Sequence, residues 1–315
     1  MNSNTELSIV VPLFNEEEVL PLLLSELSKV CDSTKKSYEI VLIDDGSRDK
    51  TWRLMQEASE RNSKIKAVKF SRNFGHQSAF GAGINLASGD MVITMDGDLQ
   101  HPPHLIPEFI KRAEAGNDIV IGERTKNEQN SPLREITGTL FYKFLSAITN
   151  LEFKNVSDFA LYKRSVVETL KSMPEKERFL RGMVQWVGYK KSYVPYVVES
   201  RKAGSAKYTA KKLFGLIMSG VTSFSAFPLR LAFWVGSFVF AFSIVFSGYV
   251  VWDHYANPSP FLAGWATLVI LVLFFGSIQL IVLGIVGEYL YKMFNEVKGR
   301  PPYIVSETRN INDSK

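Results

Sequence analysis

Met91–Pro103 reads M-V-I-T-M-D-G-D-L-Q-H-P-P. The apolar run Met91–Met95, with Gly89-Asp90 before it and polar residues after it, has the length and composition of a buried strand. It ends in two closely spaced carboxylates, Asp96 and Asp98. In open α/β sheets ligands bind just beyond the carboxyl ends of the strands. Carboxylates there are hard oxygen donors, suited to Mg²⁺ or Mn²⁺ carrying a substrate's phosphates. Asp-Gly is also a common hairpin signal. The stretch alone leaves a turn and a metal site both open.

Working outward, Leu7–Leu13, Glu39–Ile43 and Ile65–Phe70 upstream and Asp118–Gly122 downstream also read as strands. Helices fall between them. One opens near Asn15 as a candidate cap, with Glu16–Glu18 at the positive end of its dipole and leucines 20, 22–24 and 27 as its buried face. The next is capped by Asp49 and runs to about Asn62, a third is rich in small residues and ends at Ala87, and a fourth covers Leu105–Ala115. Strands alternating with helices predict an α/β fold with a doubly wound, mostly parallel sheet. A polar or acidic loop follows each of the first four strands, and no G-x-G-x-x-G follows the first. A glycine turn gripping a pyrophosphate is therefore not expected, and bound phosphates would need a metal and basic side chains. Further on, Glu123–Ser131 reads as a loop, Arg134–Thr149 and Glu175–Trp186 as helices, and Ser192–Val198 as a strand. Val156–Tyr162 is apolar apart from Ser157 and Asp158, and a carboxylate in such a segment needs a partner.

The formal net charge of +5 points to an anionic partner: nucleotide phosphates, acidic lipid or nucleic acid. One cysteine, Cys31, excludes an intramolecular disulfide and a cysteine-rich zinc site, and its expected role is helix packing. Met1–Glu6 is polar and leads straight into a strand, so no cleavable signal is expected and the first domain is placed in the cytoplasm.

Leu231–Trp252 and Trp265–Gly287 are uncharged runs of 22 and 23 residues. Each is long enough to cross ~30 Å of hydrocarbon as a helix. No Asp or Glu occurs from Arg201 to Trp252, and the connecting Asp253–Gly264 holds no Lys or Arg. Lys and Arg crowd the outer flanks instead, which predicts a hairpin with both termini cytoplasmic. The domain reading is therefore 1–200 as a soluble unit, 201–230 as a juxtamembrane segment, 231–290 as a transmembrane hairpin and 291–315 as a cytoplasmic tail. Tyr208–Phe227 reads as an interfacial helix or a plain linker. Much of the uncompensated charge flanks the spans, so lipid is the simpler partner and nucleic acid is not expected.

Four segments occur in order: Pro12-Leu13-Phe14-Asn15-Glu16, Asp44-Asp45-Gly46-Ser47, Ser71-Arg72-Asn73-Phe74-Gly75 and Asp96-Gly97-Asp98-Leu99-Gln100-His101-Pro102. They resemble the successive motifs of family 2 glycosyltransferases of GT-A fold. The polyprenyl-phosphate branch is the most similar, comprising dolichyl-phosphate mannose synthase and the bactoprenol (undecaprenyl-phosphate) glucosyltransferases. Arg178-Phe179-Leu180-Arg181-Gly182, Ala203–Tyr208 and the tail Gly287–Tyr303 extend the resemblance over nearly the whole chain.

The resemblance implies a GT-A, Rossmann-like cytoplasmic domain with a two-helix membrane anchor. It implies transfer of one sugar from a nucleotide sugar, UDP-glucose or another donor such as mannose or a modified arabinose, to polyprenyl phosphate at a bacterial inner membrane. Pro12, Asn15, Glu16, Asp44, Asp45 and Asp96 would bind the nucleotide, where acidic groups accept from ribose hydroxyls and a base N–H. Asp96, Asp98 and Gln100 would hold Mg²⁺ or Mn²⁺. Arg124 and Arg134 fall where the family places phosphate-binding arginines, although each also reads as solvated charge. Arg201 and Lys207 belong to a segment that closes over the site, or else bind headgroups. Asp158 would lie near the acceptor, but Ala160 stands where relatives often carry arginine. A phosphate acceptor with second pKa ~6 is already a dianion near neutrality. Asp158 is therefore expected to position substrate rather than to act as a base, and direct attack implies inversion. The family also allows self-association. Two other readings are a non-catalytic adaptor with a sugar-nucleotide fold and a processive synthase, for which only Gln185-Trp186 is faintly similar.

Overall fold

The computed structural model describes residues 5–125, 156–176, 178–197, 225, 227–256 and 264–311. These divide into two compact units, Met1–Thr209 with Pro301–Lys315, and Ala210–Arg300.

In the first unit the elements run β1 (Leu7–Leu13), α1 (Leu20–Ser33), β2 (Tyr38–Asp44), α2 (Thr51–Arg61), β3 (Ile65–Phe70), α3 (His76–Leu86) and β4 (Met91–Thr94). A 3-10 turn at Pro103–Leu105 leads into α4 (Ile106–Glu114), and then come β5 (Ile119–Arg124), β6 (Val156–Lys163), α5 (Arg164–Ser172), α6 (Leu180–Trp186) and β7 (Lys191–Tyr196). The last strand is β8 (Val305–Arg309), from the stretch read as a tail. The eight strands form one sheet in the order β7-β5-β6-β4-β1-β2-β3-β8.

β1 pairs in parallel with β2 and β4, and β2 with β3, which is the predicted βα alternation. β6 runs antiparallel between β4 and β5, and β8 runs antiparallel along β3. Every residue of β1 and β2 is buried, as expected for strands covered on both faces. Pro12 is tolerated in β1 because the ladder to β4 has already ended at the pair Val10 and Thr94. The core joins these strands to Leu20, Leu23, Leu27 and Cys31 of α1, which confirms the packing role of the cysteine.

Several local expectations are corrected. α1 begins at Leu20, so Asn15 does not cap it; Asn15 stands outside the helix at φ +55°. Leu22 is exposed, which narrows the buried face to Leu20, Leu23 and Leu27. Glu175–Trp186 yields a helix only from Leu180, and Glu123 lies within β5 rather than opening a loop. The Asp-Gly pair at 96–97 forms no hairpin, since β4 leads on to α4. The helices read at Arg134–Thr149 and Tyr208–Phe227 lie wholly or almost wholly outside the described residues.

The second unit contains α7 (Phe227–Ala256) and α8 (Trp265–Val297). Phe227–Tyr249 and Phe274–Val297 are long and apolar enough to cross a membrane, with mean hydropathies of 1.9 and 1.5 and no burial within the unit. Apolar side chains such as Phe238, Val245, Leu280 and Leu283 are well exposed. In water that surface would be strongly unfavourable, whereas in hydrocarbon it is not.

Candidate functional site

The loops that follow β1, β2, β3 and β4 meet at the carboxyl ends of the parallel strands. The first two are knitted together by backbone groups and short polar side chains. Asn15 N–H donates to Ser47 Oγ at 2.9 Å, and Asn15 Oδ1 accepts from Arg48 N–H at 2.8 Å. Glu16 N–H donates to Thr51 Oγ1, and Asp49 accepts from both Glu17 N–H and Thr51 N–H. Asp49 is not the expected cap, since Lys50 holds the cap position of α2, but its carboxylate ties the first helical residue to the preceding loop. Gly46 is dictated twice over: its φ is +71°, and an added Cβ would collide with the backbone of Arg72 and Asn73.

The two carboxylates after β2 have different partners. Asp45 accepts from Phe74 N–H at 2.7 Å and Gly75 N–H at 3.0 Å, which ties the loop after β3 to the loop after β2. Asp44 Oδ1 accepts from Ser47 N–H, but its Oδ2 is buried with no hydrogen-bond partner among the described residues. Burial raises the pKa of both groups, and the hydrogen bonds they accept only partly offset it. A buried acceptor without a donor marks a place where a ligand's donor fits.

A second cluster forms around Asp96. Its N–H donates to Nδ1 of His101 at 2.9 Å, and Nε2 of the same ring lies 3.5 Å from Asp96 Oδ2. His101 is fully buried and stacked on Phe159, with centroids 5.2 Å apart. Because Nδ1 accepts, the ring is neutral in this arrangement, and burial holds its pKa below the ordinary value. His76 Nε2 lies 3.0 Å from Asp96 Oδ1, although the two are not aligned as a hydrogen bond and Oδ1 has no other donor among the described residues. Burial opposes the charge on Asp96, but the polar Nε2 side of the neutral His101 ring, with His76 and Arg124, outweighs it and holds its pKa well below the carboxylate range. Burial likewise opposes a charge on His76, and Asp96 outweighs it, so that pKa is raised.

Asp158 on β6 completes the cluster. Ligand atoms of His76, Asp96 and Asp158 lie within 4.8 Å of one another. Arg181 on α6 grips Asp158 with two parallel bonds, Nε to Oδ1 at 2.9 Å and Nη2 to Oδ2 at 2.8 Å. This is the partner that a carboxylate in an apolar strand needs.

The remaining candidates fall in three groups. Asp98 and Gln100 follow Asp96, with Gln100 N–H donating to Asp98 Oδ1 at 3.1 Å. Leu99 between them is buried at φ +61°, a costly conformation for leucine that its place in the core sustains. Asp98 is not among the three converging groups. Arg124 closes β5, its Nε donating to the Tyr196 hydroxyl at 3.2 Å, and its charge reaches Asp96. Arg134, Arg201 and Lys207 lie outside the described residues.

Sequence reading gave no role to His76, His101 or Arg181. His101 follows Asp98 closely and Arg181 sits in the R-F-L-R-G segment, so the motifs contained them. Their partnerships with Asp96 and Asp158 depend on tertiary placement. Gln185 is used structurally, accepting from Lys191 Nζ, and Trp186 is exposed.

The donor set fits a divalent cation. Asp96 offers a buried carboxylate oxygen with no aligned donor among the described residues, and a ligand atom each of Asp158 and His76 lies within 4.8 Å of a ligand atom of Asp96.

Comparison with known proteins agrees with this architecture. The Glycosyl transferase family 2 profile matches residues 8–171. The chain is 37% identical to the SfII prophage-derived bactoprenol glucosyl transferase of Shigella flexneri, covering 98% of this chain and 99% of that one. It is 37% identical to the uncharacterized glycosyltransferase YkcC of Bacillus subtilis, over all of this chain and 98% of the relative. A further relative is the uncharacterized glycosyltransferase sll0501 of Synechocystis, at 38% identity over 96% of this chain and 95% of its own length. The family profile and these relatives make it a glycosyltransferase, built on a mostly parallel mixed sheet. The chain belongs to glycosyl transferase family 2.

Proposed function

We propose that the protein transfers a single glucose from UDP-glucose to undecaprenyl phosphate at the cytoplasmic face of a bacterial inner membrane. The observation that carries this reading is the end-to-end similarity to a bactoprenol glucosyl transferase, the two apolar helices included. In this reading α7 and α8 form a hairpin with both termini cytoplasmic, and the hairpin holds the site at the lipid surface. The family's tendency to self-associate extends to this chain as part of the same proposal.

Pro12, Asn15, Glu16, Asp44 and Asp45 bind the nucleotide. The unpartnered Asp44 Oδ2 suits a ribose hydroxyl, which must donate. Mg²⁺ or Mn²⁺ held by Asp96, Asp98 and Gln100, with His76 beside the same carboxylate, would supply positive charge to the departing diphosphate. Arg124 meets phosphate at the end of β5, and Arg134, Arg201 and Lys207 take the acceptor side. Asp158 has both oxygens engaged by Arg181, which suits a group that orients substrate more than one that removes a proton. The acceptor phosphate needs no base, and its attack on the face opposite the leaving group inverts the anomeric carbon.

The test uses purified protein in detergent with undecaprenyl phosphate, Mg²⁺ or Mn²⁺, and a panel of radiolabelled nucleotide sugars. Label should enter the organic phase from UDP-glucose alone, and EDTA or Asp98→Ala should abolish it. Label from a mannose or arabinose donor would replace the sugar but keep the reaction. Label surviving both EDTA and Asp98→Ala would remove the metal assignment. Nucleotide binding without any transfer would favour the adaptor.

A further inference from the structure

Asp45 is held by N–H groups of Phe74 and Gly75, so its position depends on what fixes the loop leaving β3. One flank of β3 is β2. The other is β8, whose ladder shifts register between Lys69 and Phe70, where the loop begins. Beyond that shift, Ser71 N–H donates to the Ile304 carbonyl at 2.9 Å. Tyr303 stacks on Phe70 with centroids 4.9 Å apart and planes 11° apart. Phe70, fully buried, meets Phe74 edge-on at 5.8 Å. Arg72 lies over the Phe74 ring at 4.0 Å. An unbroken aromatic path thus joins the segment after α8 to the residue whose N–H holds Asp45. Pro301 and Pro302 restrict the backbone just ahead of Tyr303, which reduces the entropy lost on docking it. The Tyr303 hydroxyl contributes little, because its contact with Asn85 Nδ2 is long at 3.4 Å.

We propose that Tyr303 is a positioning residue for the nucleotide donor, acting through Phe70 and Phe74 on the backbone that orients Asp45. Resting on the assignment of Asp45 to the nucleotide, it adds that the donor pocket is completed by chain lying beyond both apolar helices. The ring shapes ground-state binding and takes no part in bond breaking. Its loss therefore raises the donor KM and leaves kcat nearly unchanged.

The experiment titrates UDP with Mn²⁺ into the full-length protein in detergent by calorimetry, alongside steady-state transfer. Tyr303→Ala is expected to weaken UDP binding roughly tenfold, the scale of one lost aromatic contact with its burial. Tyr303→Phe should bind as the wild type does. Tyr303→Ala combined with Phe74→Leu should be little weaker than the worse single variant, because both act along one path. Should Tyr303→Ala fail to fold, Tyr303→Leu, which keeps apolar area without a ring, is read by the same criteria. Unchanged UDP affinity in Tyr303→Ala, with weakened affinity in Asp45→Asn, would overturn the inference alone. Equal losses in Tyr303→Phe and Tyr303→Ala would overturn the aromatic path. Wild-type affinity in both Tyr303→Ala and Asp45→Asn would remove the nucleotide assignment and the inference with it.

Discussion

The two ends of the parallel strands carry buried carboxylates in opposite states. At the amino end, Glu39 is almost fully buried and fully employed. Its Oε1 accepts from Ser8 Oγ–H at 2.6 Å and Ser88 N–H at 2.7 Å, its Oε2 accepts from Ser88 Oγ–H, and Lys66 pairs with it. At the carboxyl end, Asp44 is buried and Asp96 half-buried, and each keeps a buried oxygen with no aligned donor among the described residues. A closed network consumes its own polarity and serves the fold. An open one carries a cost that binding can relieve. The same side-chain chemistry thus reads as structure at one end and as a site at the other.

Four substitutions would break or sharpen that contrast. Asp96→Ala should give the largest effect, lowering sugar transfer at least about 10³-fold while the fold persists. Transfer assays paired with circular dichroism check it, and near-normal transfer would remove Asp96 from the chemistry. Asp158→Asn should reduce transfer about 10²-fold and leave Arg181 facing an amide. A pH profile from 6 to 9 should keep its shape, whereas recovery at alkaline pH would make Asp158 a base.

Glu39→Gln should lower stability by about 2 kcal/mol with kinetics unchanged, since it strands Lys66 inside a closed network. Asp44→Asn should do the reverse, stabilising the ligand-free protein by about 1 kcal/mol while weakening UDP binding. Denaturant melts across pH separate the two signs. Burial raises the Asp44 pKa above its ordinary 3.8, so the cost of its charge is absent below that value and grows as pH rises through the folded pKa. Burial also opposes the charge on Glu39, but Lys66, Ser8 and Ser88 hold its pKa below 4.5. Its contribution is full above 4.5 and is lost as pH falls through the folded pKa. On acidification the advantage of Asp44→Asn should shrink as pH falls through the raised folded pKa of Asp44, whereas the deficit of Glu39→Gln should remain down to 4.5 and be lost below it. A stability gain in Asp44→Asn that does not vary with pH would mean that charge burial is not its cause.

The parallel core was legible because its strands are unbroken apolar runs separated by helical spacing. Asp44, Asp45, Asp96 and Asp98 were legible because each follows such a run directly. What one residue does to another across the fold was not. Nothing local to Asp158 announces that Arg181 will pair with it, and nothing in Q-H-P shows that His101 turns back to accept from Asp96. Asn15 was misjudged as a cap because its side chain does bind backbone, but in a neighbouring loop. β8 escaped notice because V-S-E-T-R is short, polar on average and far in sequence from its partner β3.

β8 also sets a schedule for synthesis. A ribosome delivers β3 early and reaches β8 only after both apolar helices have been made. At ~5–20 residues per second, the residues between Phe70 and Val305 take about 10–50 s to translate. Through that interval the β3 edge presents unpaired backbone groups, the kind of surface that recruits foreign strands. The nascent chain therefore closes its own sheet last, after its most apolar segments have left the ribosome. Chaperone demand during expression should track the β3 edge as well as the membrane helices.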